Sequence, residues 1–357
     1  MNSSSDRQPV RVSSVAGLLV VIPPLLGFTP ESSLVVVGAT RADRIQATFR
    51  YDLPDPPDTT VATEIAAHAV TVLARHLLPV TIAVGYGPGR LVTPLADALR
   101  ASASSSGLWL RDVLRVEGNR YWSYLCTDPG CCPADGVLFD PGSHPAAIAL
   151  AAAGLSALPG RDALAATIAP VTGSAAEAMR EAATQAERVA RRLIAYGGPP
   201  AVNRAGLAAV RAAIGVYRDG GSLGPAIGFA WLALALTRIP IRDDAWARMD
   251  PGHREAHRRL WTDLVRRAQP GYVAAPASLL ALTAWQGGHS ALANLALDRA
   301  LADTTGYTMA LLLRDAIDAG APPSMAVPPM TPDQVAASYT DPGTGPAEPD
   351  TPATGAG

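Results

Sequence analysis

The chain has 357 residues, of which 48% are hydrophobic and 17% are charged, so it is long enough to bury at least one large core and to form two or three domains. The formal net charge of −2 provides no overall attraction to nucleic acid or to an acidic membrane surface. Neither a nucleic-acid partner nor a membrane partner is therefore predicted.

The N-terminal region starts with a polar segment, residues 1–12, which we expect to be a flexible lead-in. The apolar stretch VAGLLVVIPPLLGF follows at residues 15–28. Pro23 and Pro24 interrupt it too early for a membrane span, and the cleavage site of a signal peptide does not follow it. The stretch therefore predicts a buried helix broken at Pro23, in a cytoplasmic protein whose cysteines are reduced.

Runs of β-forming residues alternate with helical patterns in the first part of the chain. The β-rich runs are residues 32–39, 44–53, 80–87 and the two segments that flank Gly118, and the helical patterns cover residues 59–78 and 93–104. Short polar turns join the first two runs and the last two, which predicts two hairpins. This alternation predicts an α/β domain with a mixed sheet over residues 13–143.

The remaining chain is rich in alanine at helical spacing, which predicts an all-α domain over residues 144–320. Within it, Gly288 separates two helical patterns in which small residues permit close packing, as in a single tetratricopeptide-like hairpin. One such unit is too few for a solenoid, so a hairpin packed on neighbouring helices is favoured over a peptide-binding groove. Residues 321–357 are rich in Pro, Thr, Gly and Ala, and this composition predicts a disordered tail.

Several long motifs occur in an order that one family shares. They are PPLLGFTPESSLVVVG, RYDLP, RYWSYLC, CCP, HRRLWTDLVRRAQP and AWQGGHSALANLALDRALADTTGY. On these motifs the chain resembles, over about residues 11–325, the actinobacterial proteins grouped as domain of unknown function family 4192. The resemblance implies no particular activity.

Polar segments at strand ends predict a candidate ligand pocket. In GYGPGR, residues 85–90, the glycines leave backbone N–H groups exposed, and these groups can bind an anion beside Arg90. Pro88 has no N–H group to donate, so a simple turn at the end of the strand is favoured over an anion site. In RYDLP, Arg50 and Asp52 share one strand face, where an ion pair is favoured over a polar site. The predicted pocket residues are Arg50, Asp52, Gly85, Tyr86, Gly87, Arg90, Arg120 and Tyr121.

All three cysteines lie in RYWSYLCTDPGCCP, residues 120–133. A zinc site would use Cys126, Cys131 and Cys132 with His144 as the fourth ligand, but adjacent cysteines are poorly suited to face one ion. A Cys126–Cys131 disulfide would be transient in the cytoplasm, and a nucleophilic cysteine would need a base that the nearby sequence does not supply. The favoured interpretation is structural, with small thiols filling a turn, so no cofactor is predicted.

The segment HREAHRRLW, residues 253–261, places His253 and His257 at metal-ligand spacing on a helix. Glu255 lies two residues after the first histidine, about 200° around the helix, so the zincin mechanism is not supported. We expect a solvated basic helix whose Trp261 faces the core.

No segment of the sequence contains a complete set of catalytic residues. The sequence therefore favours a regulatory protein that binds an unknown small ligand or protein partner through the α/β domain, with the helical domain as a protein-interaction surface. One alternative is an enzyme in which Arg50, Asp52, Arg120 and Cys126 converge near residues 85–90. The other is a zinc-dependent or redox switch at the cysteines.

Overall fold

The computed structural model describes residues 14–42, 45–326, 328 and 330–339. The chain groups into two compact units. The first unit comprises the residues up to Thr167 together with Gly288–Leu292 and Ala316–Pro322; the second comprises Ile168–Gly287, Ala293–Asp315 and the residues from Pro323 onward. An N-terminal mixed sheet with helices is followed by a mostly helical region, as predicted. The first unit extends past Ser143, where the sequence predicts the boundary.

A mixed sheet of six strands forms the centre of the first unit. Its strands are β1 (Ser33–Ala39), β2 (Ile45–Asp52), β3 (Val80–Tyr86), β4 (Trp109–Glu117), β5 (Arg120–Ser123) and β6 (Val137–Leu138). Their order is β2-β1-β3-β4-β5-β6, and β3 and β4 run parallel. The two predicted hairpins are present as antiparallel pairs, β1 with β2 and β4 with β5.

Two helices pack on one face of this sheet. The helices of the first unit are α1 (Val15–Leu26), α2 (Thr59–Arg75), α3 (Gly89–Ser106), α4 (Pro145–Ala152) and α5 (Arg161–Ala166). The core between the strands and α2 and α3 contains Leu34, Val36, Ala83, Val113, Ala66, Ala69, Leu73, Val92, Leu95 and Leu99. Gly85 permits the close approach of α3, because a Cβ there would lie 2.2 Å from Cγ1 of Val92.

Helix α1 continues to Leu26, so the predicted break at Pro23 is wrong. The Ser14 side chain caps its start by accepting a hydrogen bond from the Gly17 N–H. Both prolines lie near the C-terminal end, where the carbonyl of Pro23 accepts from the N–H of Gly27 at 2.9 Å. Gly27 closes the helix in the left-handed conformation, at φ 85°.

The helices that follow Thr167 match the predicted helical region. They are α6 (Gly173–Arg218), α7 (Ala226–Ala235), α8 (Ile239–Ala247), α9 (Arg254–Arg267), α10 (Ala274–Gln286), α11 (Ser290–Asp303), α12 (Thr308–Asp318) and α13 (Pro332–Ser338), with short 3-10 helices at Pro251–His253 and Pro323–Met325. Helix α6 contains a kink at Gly198, whose φ of 67° is non-helical. Pro199 and Pro200 follow directly after Gly198, so the kink lies where the sequence is poorest in helix-forming residues.

Helices α10 and α11 form the predicted helical hairpin. The small residues Ala293 and Ala300 are fully buried. The Asp303 carboxylate, at the end of α11, accepts hydrogen bonds from the backbone N–H groups of Gly271, Val273 and Ala274 at the start of α10. This cap fixes the antiparallel arrangement, because it joins the end of one helix to the start of the other.

The structure describes part of the predicted C-terminal tail but none of the predicted N-terminal lead-in. The predicted lead-in, residues 1–12, lies outside the described residues, as does most of the predicted disordered tail. Within residues 321–339 of that tail, helix α13 forms with a capping box between Thr331 and Gln334 and with Val335 buried. In the described part of the chain, no helix has both the length and the hydropathy needed to cross a membrane.

Candidate functional site

The three cysteines lie together in the loop that follows β5. The Sγ atoms of Cys126, Cys131 and Cys132, hereafter the three-thiol cluster, are all within 4.8 Å of one another. Cys131 is exposed, and the other two cysteines are half-buried. All three are free of disulfides. The cluster is therefore both compact and reachable from solvent.

A tight turn centred on Asp128 brings the cysteines together. The Asp128 carbonyl accepts hydrogen bonds from the N–H groups of Cys131 and Cys132, at 3.2 and 2.7 Å. Its carboxylate accepts from the N–H of Gly130 at 2.8 Å. Side-chain-to-backbone bonds of this kind are typical of aspartate at the start of a turn. They fold Cys131 and Cys132 back towards Cys126.

Adjacent cysteines can share one site here, contrary to the sequence-based expectation. Cys131 and Cys132 follow a helical-type turn, since both N–H groups bond the same carbonyl. Successive side chains in such a turn diverge by about 100°, whereas in a strand they point to opposite faces. Both sulfurs therefore face Cys126.

The thiols of Cys126 and Cys132 have pKa values shifted in opposite directions. A hydrogen bond from the Cys132 thiol, followed by a backbone hydrogen bond at Asp128, lowers the pKa of Cys126 below its usual value. The same hydrogen bond to Cys126, with burial, raises the pKa of Cys132 to about 12. Cys126 is therefore the thiol that ionises first, and Cys132 remains protonated as its donor.

Polar side chains of β4 and β5 support the cluster from the sheet. The Ser123 hydroxyl donates to Oδ1 of Asp112 at 2.6 Å and accepts from the N–H of Cys126 at 2.9 Å. Burial, followed by the proximity of Cys132 and Cys131, raises the pKa of Tyr121. The first cysteine is therefore tied directly to the hairpin.

His144, the fourth ligand in the zinc alternative, caps a helix instead. Its Nδ1 accepts from the N–H of Ala146 at 3.1 Å and so caps α4. Its ring packs on α1, where a Cβ on Gly17 would lie 3.3 Å from its Cε1 atom. Among the described residues, no fourth histidine, cysteine or carboxylate joins the set of ligand atoms within 4.8 Å.

The predicted ion pair between Arg50 and Asp52 is present on β2. The two side chains bond at 2.5 Å, and Nε of Arg50 donates to the Ser33 hydroxyl at 2.9 Å. The guanidinium also lies 5.8 Å from the centre of the Phe28 ring. These partners hold Arg50 in a structural role at the sheet surface.

The glycines at the end of β3 serve packing and a change of chain direction. Gly85 allows α3 to approach, as described above, and Gly87 has a φ of 147° that favours glycine. Tyr86, between them, is 8% exposed, and its hydroxyl has no hydrogen-bond partner among the described residues. Burial raises the pKa of Tyr86, so its phenol stays neutral.

Arg90 borders a cleft between the starts of α2 and α3. Its guanidinium donates to both carboxylate oxygens of Asp55, at 2.9 and 3.2 Å, and this bonding lowers the pKa of Asp55. The cleft has a volume of about 540 Å³. It is lined by Thr59, Thr63, Gly89, Arg90, Thr93, Pro94, Asp97 and Ala98. Of the predicted pocket residues, only Arg90 lines this cleft.

The predicted pocket residues do not converge on one point. Arg120 donates to the side chain of Asp135 and to the carbonyl of Gly136, at 3.0 and 2.7 Å. It lies on β5, whereas Arg50 lies on β2, with three strands between them. At about 4.8 Å per strand, the two strands are roughly 19 Å apart. Arg50 and Arg120 therefore do not lie together, as the enzyme alternative would require.

The residues that position the three-thiol cluster and Arg90 are not among those that the sequence patterns single out. Asp128 and Ser123 organise the cysteine loop, and Asp55 pairs with Arg90. The signal for the first two was present, since Asp-Pro-Gly is a turn sequence and serine commonly caps a following turn. The Asp55–Arg90 pair joins residues far apart in sequence, so no local pattern predicts it.

A family model described as a domain of unknown function, DUF4192, matches residues 16–324. The chain belongs to this family. No curated protein and no solved structure gives a match. The DUF4192 match includes all three cysteines and most of both compact units, but its description assigns no activity.

Proposed function

We propose that this DUF4192 protein is a regulatory binding protein and that the three-thiol cluster is its responsive element. The observation that carries the proposal is the grouping of three accessible sulfur atoms within 4.8 Å. Thiols at this separation can bind one ligand together or exchange protons and bonds with each other. A surface cluster of this kind suits the detection of a signal.

The surroundings of the other polar residues favour binding over catalysis. Arg50, Arg90 and Arg120 each bond a carboxylate of their own, those of Asp52, Asp55 and Asp135. A catalytic arginine would instead be directed at a shared substrate position. The dispersal of these pairs supports a regulatory protein over the enzyme alternative.

The three-thiol cluster is connected to the sheet through hydrogen bonds of Ser123. The Ser123 hydroxyl bonds both the backbone of Cys126 and the carboxylate of Asp112 on β4. Displacement of Cys126 would therefore strain or release the β4–β5 hairpin. In this proposal, a protein partner responds to the altered β4–β5 hairpin.

Hydrogen exchange on the full chain tests this function. The reduced protein is compared with protein treated with Zn²⁺ or with a mild thiol oxidant. We expect altered amide protection in β4 and β5 after at least one treatment, and no alteration in a variant in which Ser replaces all three cysteines. Unchanged protection in the wild-type protein under both treatments would overturn the proposal.

A second candidate function is the binding of a small polar ligand in the cleft beside Arg90. Its volume of about 540 Å³ falls in the range of small-molecule sites, about 300–1,000 Å³. Thermal shifts with a panel of small polar compounds test it. A binding compound should stabilise the wild-type protein but not a Thr63→Tyr variant, whose larger side chain fills the cleft. A shift that persists in the variant would place the ligand elsewhere.

A further inference from the structure

We propose that the three-thiol cluster binds one thiophilic d¹⁰ cation, Zn²⁺ or Cu⁺, through the sulfurs of Cys126, Cys131 and Cys132. This inference rests on the proposed function, because it names the ligand of the same cluster. Thiolates are the protein ligands that these two soft ions prefer. The ion would lie at the protein surface, beside the exposed Cys131.

The sulfur positions fit a shared ion with little movement. A Zn–S bond is about 2.3 Å, so three sulfurs on one tetrahedral zinc are roughly 3.8 Å apart. The cluster holds its sulfurs within 4.8 Å of one another. Side-chain rotations within the loop can supply the remaining contraction, which is about 1 Å at most.

The number of thiols favours a cation over a disulfide. A disulfide joins two sulfurs and leaves the third without a function, whereas all three contribute to an ion. The structure also arranges Cys131 and Cys132 in the same turn, with both N–H groups on the Asp128 carbonyl. That geometry directs two adjacent side chains towards Cys126, which a simple Cys126–Cys131 bridge would not require.

Binding of a cation would displace protons from the cluster, because a coordinating thiol is deprotonated outright. Binding at neutral pH should therefore release two to three protons per ion, since ordinary thiols are mostly protonated there.

The fourth coordination position is open in this arrangement. His144 caps α4 instead, and among the described residues no fourth histidine, cysteine or carboxylate offers a ligand atom within 4.8 Å of the three sulfurs. Zinc sites with three protein ligands bind water or an outside donor at the fourth position, whereas three thiolates already complete a trigonal Cu⁺ site. The two ions thus predict different coordination numbers for the same three residues.

Metal titration of the full chain, reduced and anaerobic, tests the inference. Co²⁺ serves as an optical substitute for Zn²⁺, and Cu⁺ is added in competition with a chelator. We expect one ion per chain, an intense thiolate-to-cobalt charge-transfer band, and the proton release given above. Each single Cys→Ser variant should bind more than about 100-fold more weakly, because loss of even an outer-shell partner costs 10–100-fold.

Two control variants test whether a loss of metal binding is specific to the three cysteines. Thr127→Ser, in the same loop, and His144→Gln, at the fourth ligand of the zinc alternative, should bind like the wild-type protein. Binding that survives any single Cys→Ser substitution unchanged would overturn the inference. If neither ion binds but oxidation still alters amide protection in β4 and β5, the cation is wrong and the proposed function stands. If an ion binds without altering that protection, and oxidation does not alter it either, the site stands and the proposed function is wrong.

Discussion

Cys126 and Cys132 lie within 4.8 Å of each other, at the two ends of the turn that contains Asp128. Their chemistry differs although the side chains are identical. The Cys132 thiol donates a hydrogen bond that lowers the pKa of Cys126, and that same bond raises the pKa of Cys132 to about 12. This asymmetry gives the cluster one nucleophilic sulfur before any ligand binds.

Alkylation should therefore be selective at neutral pH. In the reduced protein, iodoacetamide should modify Cys126 faster than Cys132, because the thiolate is the reactive form. Replacement of the donor in Cys132→Ala should raise the pKa of Cys126 and slow its reaction. Peptide mass spectrometry over a time course measures both rates. Faster modification of Cys132, or no effect of the Cys132→Ala substitution, would contradict the assigned proton distribution.

The contact between Gly85 and Val92 predicts a sensitive position in the first unit. A Cβ at residue 85 would lie 2.2 Å from Cγ1 of Val92, so Gly85→Ala should destabilise the protein by about 1–3 kcal/mol. The Val92→Ala substitution should restore part of this loss in the double variant. Urea denaturation measures the free energy of unfolding.

Gly228→Ala is the matched control for that experiment. Gly228 lies within helix α7, and a Cβ there meets nothing within 4 Å. Its replacement should be neutral or stabilising, by up to about 1 kcal/mol, because alanine is the better helix former. Equal destabilisation by both substitutions would show that the close approach of α3 is not the cause.

The buried carboxylate of Asp244 predicts a second sensitive position. Asp244 is 1% exposed and bonds Nε and Nη2 of Arg248, at 2.7 and 3.0 Å, as well as Arg211 at 3.2 Å. Arg248→Met should leave this buried charge poorly compensated and cost about 3 kcal/mol. Chemical denaturation measures the loss.

A surface arginine provides the comparison for Arg248. Arg258 pairs with Glu255, whose side chain is 67% exposed. Arg258→Met should change the stability by less than about 1 kcal/mol, since exposed ion pairs contribute little. Similar losses for the two variants would refute the role assigned to burial at Asp244.

His257 predicts a pH dependence of stability. Burial lowers its pKa from 6.5 to about 4, and the nearby charge of Arg218 adds to this shift. Between these two values the unfolded chain binds more protons than the folded chain, so stability falls as the pH decreases from 6.5 to 4. The contribution of His257 should be about 1–3 kcal/mol over this window.

Comparison with His257→Gln isolates that contribution. Urea denaturation at several pH values from 7 to 4 gives the free energy of unfolding of both proteins. The wild-type protein should lose more stability on acidification than the variant. Parallel pH profiles would mean that His257 accepts a proton in the folded state as readily as in the unfolded state.

Local sequence patterns predict the elements of this fold well. The hairpin of β1 and β2 follows from two β-rich runs around a short polar turn, and the kink in α6 lies in the Gly-Gly-Pro-Pro segment at residues 197–200. Helix α1 continues past Pro23, contrary to the prediction. The hydrogen bond from the Gly27 N–H to the Pro23 carbonyl completes its last turn. These features depend on residues close together in the chain.

The assembly of the site depends on longer-range features that the sequence does not show. Strand order separates Arg50 from Arg120, and no local pattern specifies which strands are neighbours. The helical-type turn after Asp128 brings adjacent cysteines onto one side, whereas the sequence alone suggests that they diverge. His144 lies 12 positions after Cys132 in the sequence, but it caps α4 instead.

X-ray absorption at the metal edge of the zinc- or copper-loaded, full-length protein tests the central claim most directly, because it counts the sulfur atoms bound to the ion. We predict three sulfur scatterers per ion, at about 2.3 Å for zinc, with an additional lighter donor for zinc alone. A first shell that contains two sulfurs or fewer would contradict a site built from Cys126, Cys131 and Cys132 together.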